Sequence, residues 1–167
     1  MKNLHLLPVC TLLFCLHACQ FENPEVQDLK RQIKQLEKQL ADTYKPGFGE
    51  MMASIQVHHA KLWFAGLHQN WKLADFEVRE IKENLANVQK FQAEREESKL
   101  IYSMDPTIAA VSDAIGRQDL QAFKSSYEGL TNACNTCHRD VHYEFNLVKI
   151  PERPPFDNQV FSAEEEK

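Results

Sequence analysis

The chain has 167 residues, 43% of them hydrophobic and 26% charged, with only 5 Gly and 7 Pro. That length suits one globular domain and excludes a large multidomain enzyme. A formal charge of -5 offers no clustered positive surface for phosphates, so nucleic acid is excluded as a partner.

Residues 1–18 hold one Lys, an apolar run from Leu4 to Leu16, and a small residue, Ala18, directly before Cys19. The run is shorter than the roughly 20 residues a spanning helix needs, and a polar chain follows, which predicts an exported, cleaved segment. Leu16-His17-Ala18-Cys19 resembles the lipobox of bacterial lipoproteins. That resemblance implies a domain tethered to a membrane through an acylated Cys19, on the periplasmic side. Gln20, where Asp would mark inner-membrane retention, favours the outer membrane. The alternative is a plain secretory signal cut nearby. Removing residues 1–18 leaves 18 basic and 24 acidic residues, a net of -6.

Residues 19–46 read as a stalk helix and linker. Val26, Leu29, Ile33, Leu36 and Leu40 fall at alternating steps of three and four, the a/d spacing of a coiled coil over about two heptads. Either an amphipathic helix packed on the domain or a homodimer zipper through the stalk satisfies this pattern. Lys45-Pro46-Gly47-Phe48-Gly49 marks the break before the domain, residues 47–150.

Four amphipathic segments follow, with almost no alternating β-type runs. The first, about 50–69, lines up Met52, Ile55, His59, Leu62 and Gly66. The second, about 72–98, turns Leu73, Phe76, Ile81, Leu85, Val88 and Phe91 inward and its charges outward, Glu77, Glu80, Glu83, Glu94, Glu96 and Glu97 among them. Asp105-Pro106 caps the third, which runs to about Gly116. Asp119 caps the fourth, which carries Leu120, Phe123, Tyr127, Leu130, Cys134 and Cys137. Four such stripes on short turns predict an all-α antiparallel four-helix bundle. The Pro-rich acidic tail, 151–167, has no periodicity and is expected to be extended or disordered.

Cys134-Asn135-Thr136-Cys137-His138 is the attachment pattern of c-type haem. Thiols three apart on a helix face one side, where they can add to the two vinyl groups of one porphyrin, and the next imidazole reaches the iron. By the chain's own residue frequencies this pentapeptide is expected by chance about 0.006 times. A thioredoxin-like redox pair belongs in a βαβ context, which this chain lacks. A zinc site would need two further ligands at regular spacing. A local disulfide would not require the His.

A helical domain with this pentapeptide late in its last helix resembles the cytochrome c prime superfamily, over about residues 47–148. The resemblance implies a four-helix fold, one covalent haem on Cys134 and Cys137, His138 as axial ligand, and a distal residue from the first helix. That helix offers Met52 as candidate sixth ligand, His59 as the alternative and His58 as the weaker option. A sixth ligand implies electron transfer with periplasmic redox proteins, whereas an apolar distal side implies binding of NO or CO. A third reading is a haem-free interaction lipoprotein with a local disulfide. His142 stands where the family has an Arg, leaving Arg139 as the substitute near the haem propionates; His142 itself is expected to share the face of His138. Trp63, Phe64, Trp71 and Phe76 read as core aromatics. No nucleophile, phosphate loop or paired-carboxylate motif points to an enzyme.

Overall fold

The computed structural model describes residues 23–43 and 46–163. The exported segment and Cys19 therefore lie outside the described residues, as do the last four of the acidic tail. The chain divides into two compact units, residues 1–45 and 46–167. Among the described residues there is no β-strand, and the fold is all-α.

In the first unit, α1 spans Pro24–Ala41. It starts where it does because the Asn23 side chain accepts a hydrogen bond from the Glu25 amide at 3.0 Å and Pro24 occupies the first turn, where its missing N–H costs nothing. None of its residues is buried, and its whole apolar seam is exposed, from Val26 at 42% to Leu40 at 72%.

The second unit comprises α2 (Phe48–Leu67), α3 (Trp71–Phe91), a single turn α4 (Glu96–Lys99), a 3-10 turn at Ile101–Met104, α5 (Asp105–Gly116) and α6 (Leu120–Asp140). Helix α2 packs on α3 and α6, and α5 packs on α3 and α6. Tyr127, Phe123, Leu62, Ile81, Leu130, Val78, Val88 and Val111 are fully buried at the centre. No helix among the described residues is long and apolar enough to cross a membrane.

The helix ends follow local chemistry. Asn70 caps α3 by accepting from the Leu73 amide at 3.1 Å, and Asp119 caps α6 by accepting from the amides of Gln121 and Ala122, both at 3.0 Å. Gln69, Gln118 and His142 follow α2, α5 and α6 with φ of 54°, 55° and 63°. In each case the next amide reaches back five residues: Asn70 to Ala65, Asp119 to Ala114, Tyr143 to His138. This is the Schellman closure, here made without glycine.

Four expectations are corrected. Asp105 is not a cap: the 3-10 turn runs directly into α5, so Asp105 already has helical φ and ψ. The second segment ends at Phe91 rather than near 98, because the charged stretch that follows turns to bury Ser98, Ile101 and Met104. Phe76 is 44% exposed while Glu77 is wholly buried, since Ala74, Val78, Ile81, Leu85 and Val88 form the inner line and Glu77 lies on it. The tail is irregular, as expected, but part of it docks: Phe161 is buried against Phe64 with ring centroids 5.7 Å apart, and Asn70 donates to the Ser162 carbonyl.

Gly66 on α2 is required by close approach. A Cβ there would stand 2.1 Å from the ring of Phe123, which is held by Trp63 and Tyr127 and met edge-on by Trp71. Gly66→Ala is therefore expected to lower unfolding stability by about 1–3 kcal/mol through overpacking. Gly129→Ala, in the interior of α6 with nothing within 4 Å of the new methyl, is expected to raise it by about 0.5–1 kcal/mol. Urea titrations of both variants check the pair.

Candidate functional site

One end of the second unit holds a cavity of about 330 Å³. Helix α2 contributes Met52, Ile55 and His59; α3 contributes Ile81 and Leu85; the 3-10 turn contributes Ile101 and Met104. The opposing wall is the end of α6, with Leu130, Cys134, Cys137 and His138, and the following loop, with Tyr143, Asn146 and Val148. Cys134, Cys137 and His138 of the pentapeptide thus line one space, together with Met52 and His59. A mostly apolar pocket with a few polar groups is the usual form of a small-molecule or cofactor site.

Helical spacing puts both thiols on the same wall, and both are free. Burial pushes the Cys134 thiol up to about 12, with Cys137 adding to the shift, and burial also raises Cys137. Near neutral pH both are therefore S–H groups, a poor state for thiolate metal binding or disulfide exchange.

His138 is oriented from behind. Its Nδ1 lies 2.6 Å from the main-chain oxygen of Asn146. A carbonyl only accepts, so Nδ1 carries a proton, and of the two neutral tautomers the contact selects the one with its lone pair on Nε2. The loop is held in turn by Asn135, whose side-chain amide donates to the Val148 carbonyl at 2.8 Å and whose Oδ1 accepts from the Val148 amide at 2.9 Å. The chain can double back to make these contacts because His142 adopts a left-handed conformation just after α6 ends. His142 is consequently outside the helix, exposed and not on the cavity wall, contrary to its expected place beside His138.

The three residues considered for the distal side differ sharply. Met52 is half-buried on the cavity wall. His59 is also on the wall, but both its nitrogens are taken: Nε2 is 2.9 Å from Thr131 Oγ1 and Nδ1 is 2.9 Å from the Tyr127 hydroxyl. Those hydroxyls also reach main-chain oxygens, of Tyr127 and His59 respectively. Each hydroxyl has one proton, so a neutral ring donates to one hydroxyl, which keeps its main-chain bond, and accepts from the other, whose proton then turns from the carbonyl to the ring. Burial pulls the His59 pKa down to about 4, which keeps the ring neutral at physiological pH. His58 does not line the cavity. Its Nδ1 is 2.6 Å from the buried Glu77 carboxylate, which Lys61 approaches at 3.1 Å.

Several wall residues carried no sequence signal. Met104 brings a second thioether to the cavity from the 3-10 turn, which has no helical period to reveal it. Glu97, expected in solvent, lies on the rim, where Arg95 pairs with it at 2.6 Å and holds its carboxyl below the ordinary range. The Arg95 guanidinium also sits 4.4 Å from the Phe48 ring centroid. Arg139 is exposed and off the wall, so the cationic group by the cavity is Arg95. Among the described residues, no group of three or more His, Cys, Asp or Glu is arranged to hold a metal ion. Comparison of the whole chain with protein families, curated proteins and solved structures finds no match.

The neutral state of His59 makes stability depend on pH. Between about 6.5 and about 4 the unfolded chain takes up a proton that the folded ring refuses, so stability falls as pH falls through that window. The expected loss attributable to His59 is about 3 kcal/mol. Denaturant unfolding of wild type and His59→Gln at pH 7, 5.5 and 4 checks this, the variant losing correspondingly less across the window.

Proposed function

We propose that this chain is a c-type cytochrome of the cytochrome c prime type: a four-helix bundle formed by α2, α3, α5 and α6, carrying one covalent haem. The observation that carries the reading is the convergence of Cys134, Cys137 and His138 on a single apolar cavity, with His138 Nδ1 committed to the Asn146 carbonyl. A porphyrin needs an apolar slot, two thiols on one wall and an imidazole fixed in one tautomer, and these residues supply that set. Cys134 and Cys137 would be the tethers and His138 the proximal ligand. Haem supplies a one-electron iron couple when bound. The protein's part is to orient His138 through Asn146, exclude water with Ile55, Ile81, Leu85, Ile101 and Leu130, and set the distal contact.

Met52 is the preferred sixth ligand. Its thioether stands on the wall with no hydrogen bond to lose, whereas His59 would have to break one of two buried hydrogen bonds to ligate. His58 is engaged with Glu77. A Met ligand supports electron transfer rather than gas binding, with periplasmic redox proteins as partners. The lipobox-like Leu16-His17-Ala18-Cys19 supports export and a lipid anchor on the periplasmic face, with Gln20 favouring the outer membrane.

Protein produced with a haem c maturation system is expected to give a c-type pyridine haemochrome and one haem of added mass, both lost in Cys134→Ala/Cys137→Ala. The wild type is expected to be low-spin, and Met52→Ala to become high-spin with readily bound CO. A high-spin wild type that already binds CO and ignores Met52→Ala would favour the gas-binding reading. Absence of covalent haem would overturn the cytochrome reading in favour of a haem-free interaction module.

A further inference from the structure

We infer that Asn135, the first spacer residue of the pentapeptide, is a positioning residue for the proximal ligand. The inference rests on the haem reading above, but its geometry is independent of it. Asn135 is buried on α6, and both ends of its amide are used on a single residue, Val148, accepting from its N–H and donating to its C=O. This pairing resembles one rung of a β-ladder made by a side chain, and it clamps the loop two residues beyond Asn146. The Asn146 carbonyl is the partner of His138 Nδ1. A main-chain acceptor cannot be supplied by a side chain of its own; it must be placed by whatever holds the loop, and Asn135 is the group on α6 that does so. Thr136, the other spacer, is exposed and bonds only within its helix, to the Asn132 carbonyl.

The consequence is electronic. A short bond from Nδ1–H to a carbonyl makes the imidazole a stronger donor to iron and favours the oxidised state. Releasing the loop lengthens that bond and raises the reduction potential.

The test compares Asn135→Ala, Asn135→Asp and Thr136→Ala as holoproteins, by redox titration and by hydrogen exchange at the Val148 amide. Asn135→Ala is expected to raise the potential and speed exchange at Val148. Asn135→Asp, which keeps the acceptor for that amide, is expected to shift less in the same direction, and Thr136→Ala is expected to match wild type. If the alanine variant does not fold, the aspartate variant carries the test. An Asn135 variant that exchanges faster at Val148 yet keeps the wild-type potential and spectrum would overturn the positioning role. Failure of the cytochrome reading is a separate event, seen as missing haem in the wild type.

A second observation, in the other unit, carries a different inference: the geometry points to α1 as the docking surface for α1 of a second copy of this chain, in parallel. Its exposed seam places Val26, Ile33 and Leu40 at a and Leu29 and Leu36 at d, and β-branched residues at a with Leu at d favour parallel two-stranded pairing. Glu25 at g and Lys30 at the following e are opposite in charge, the pairing that two parallel chains bring together across the seam. The apolar stripe is a narrow a/d line flanked by charged and amide side chains, too narrow for an interfacial membrane helix with a wide apolar face. At about two heptads the association is expected to depend on concentration.

Sedimentation of the full chain in mild detergent is expected to show a dimer that Leu29→Lys/Leu36→Lys abolishes. Glu25→Lys is expected to weaken it and Glu25→Lys/Lys30→Glu to restore it. Val26→Cys is expected to cross-link between chains on oxidation, since only parallel pairing brings the two copies of this terminal position together. A monomer at every concentration, a dimer insensitive to the Lys substitutions, or α1-dependent binding to anionic vesicles without dimerisation would overturn the assignment.

Discussion

An imidazole offers one nitrogen to a cavity in a defined state only when the other is committed, and His138 is committed by the Asn146 carbonyl 2.6 Å behind it. Much of the cavity wall around His138 follows from that constraint. For Asn146 to reach back, α6 must stop at Asp140, His142 must accept a left-handed conformation, and something must pin the loop, which Asn135 does through Val148. A left-handed backbone at a non-glycine residue costs roughly 1–2 kcal/mol. Against it stand the Schellman hydrogen bonds that close α6, the two Asn135 bonds and the His138 bond, which together outweigh the local cost.

The remaining polar groups of the interior are arranged so that none is left as an isolated charge. Glu77 is wholly buried, a position that would cost several kcal/mol for a lone carboxylate. His58 and Lys61, about one turn apart on α2, each approach one of its oxygens. His59 solves the same problem by staying neutral between Tyr127 and Thr131, with its ring stacked on Tyr127 at 4.6 Å. Adjacent histidines on α2 thus serve different surroundings because successive helical residues diverge by about 100°. One faces α3 and a carboxylate, the other α6 and two hydroxyls.

Aromatic packing links this polar layer to the middle of the second unit. Trp63 lies 4.8 Å from Tyr127, and Phe123 sits among Trp63, Trp71 and Tyr127 against the bare backbone of Gly66. Phe161, from a tail with no periodicity, joins the same side through Phe64. Interiors at native density transmit displacement rather than absorb it, so the orientation of Tyr127, and through it His59, depends on rings far from the cavity.

The helices and the shared face of Cys134 and Cys137 were legible in the amino-acid order because they rest on local rules. Period-3.6 apolar spacing marks an inward face, an Asp side chain caps at Asp119, and two cysteines three apart must share a helix face whatever surrounds them. What the amino-acid order could not state was which neighbour each inner face meets. Phe76 and Glu77 exchanged their expected places because burial of a carboxylate depends on partners, here Lys61 and His58, supplied by another helix. Met104, Glu97 and Asn146 joined the cavity through turns that have no period, and Phe161 became a core residue by a long-range contact. Local chemistry along the chain determined the secondary structure and the chemistry of the pentapeptide. Tertiary packing alone decided that Met52 is left open to the cavity while His58 and His59 are taken, because hydrogen-bond partners distant in sequence claim the imidazoles first.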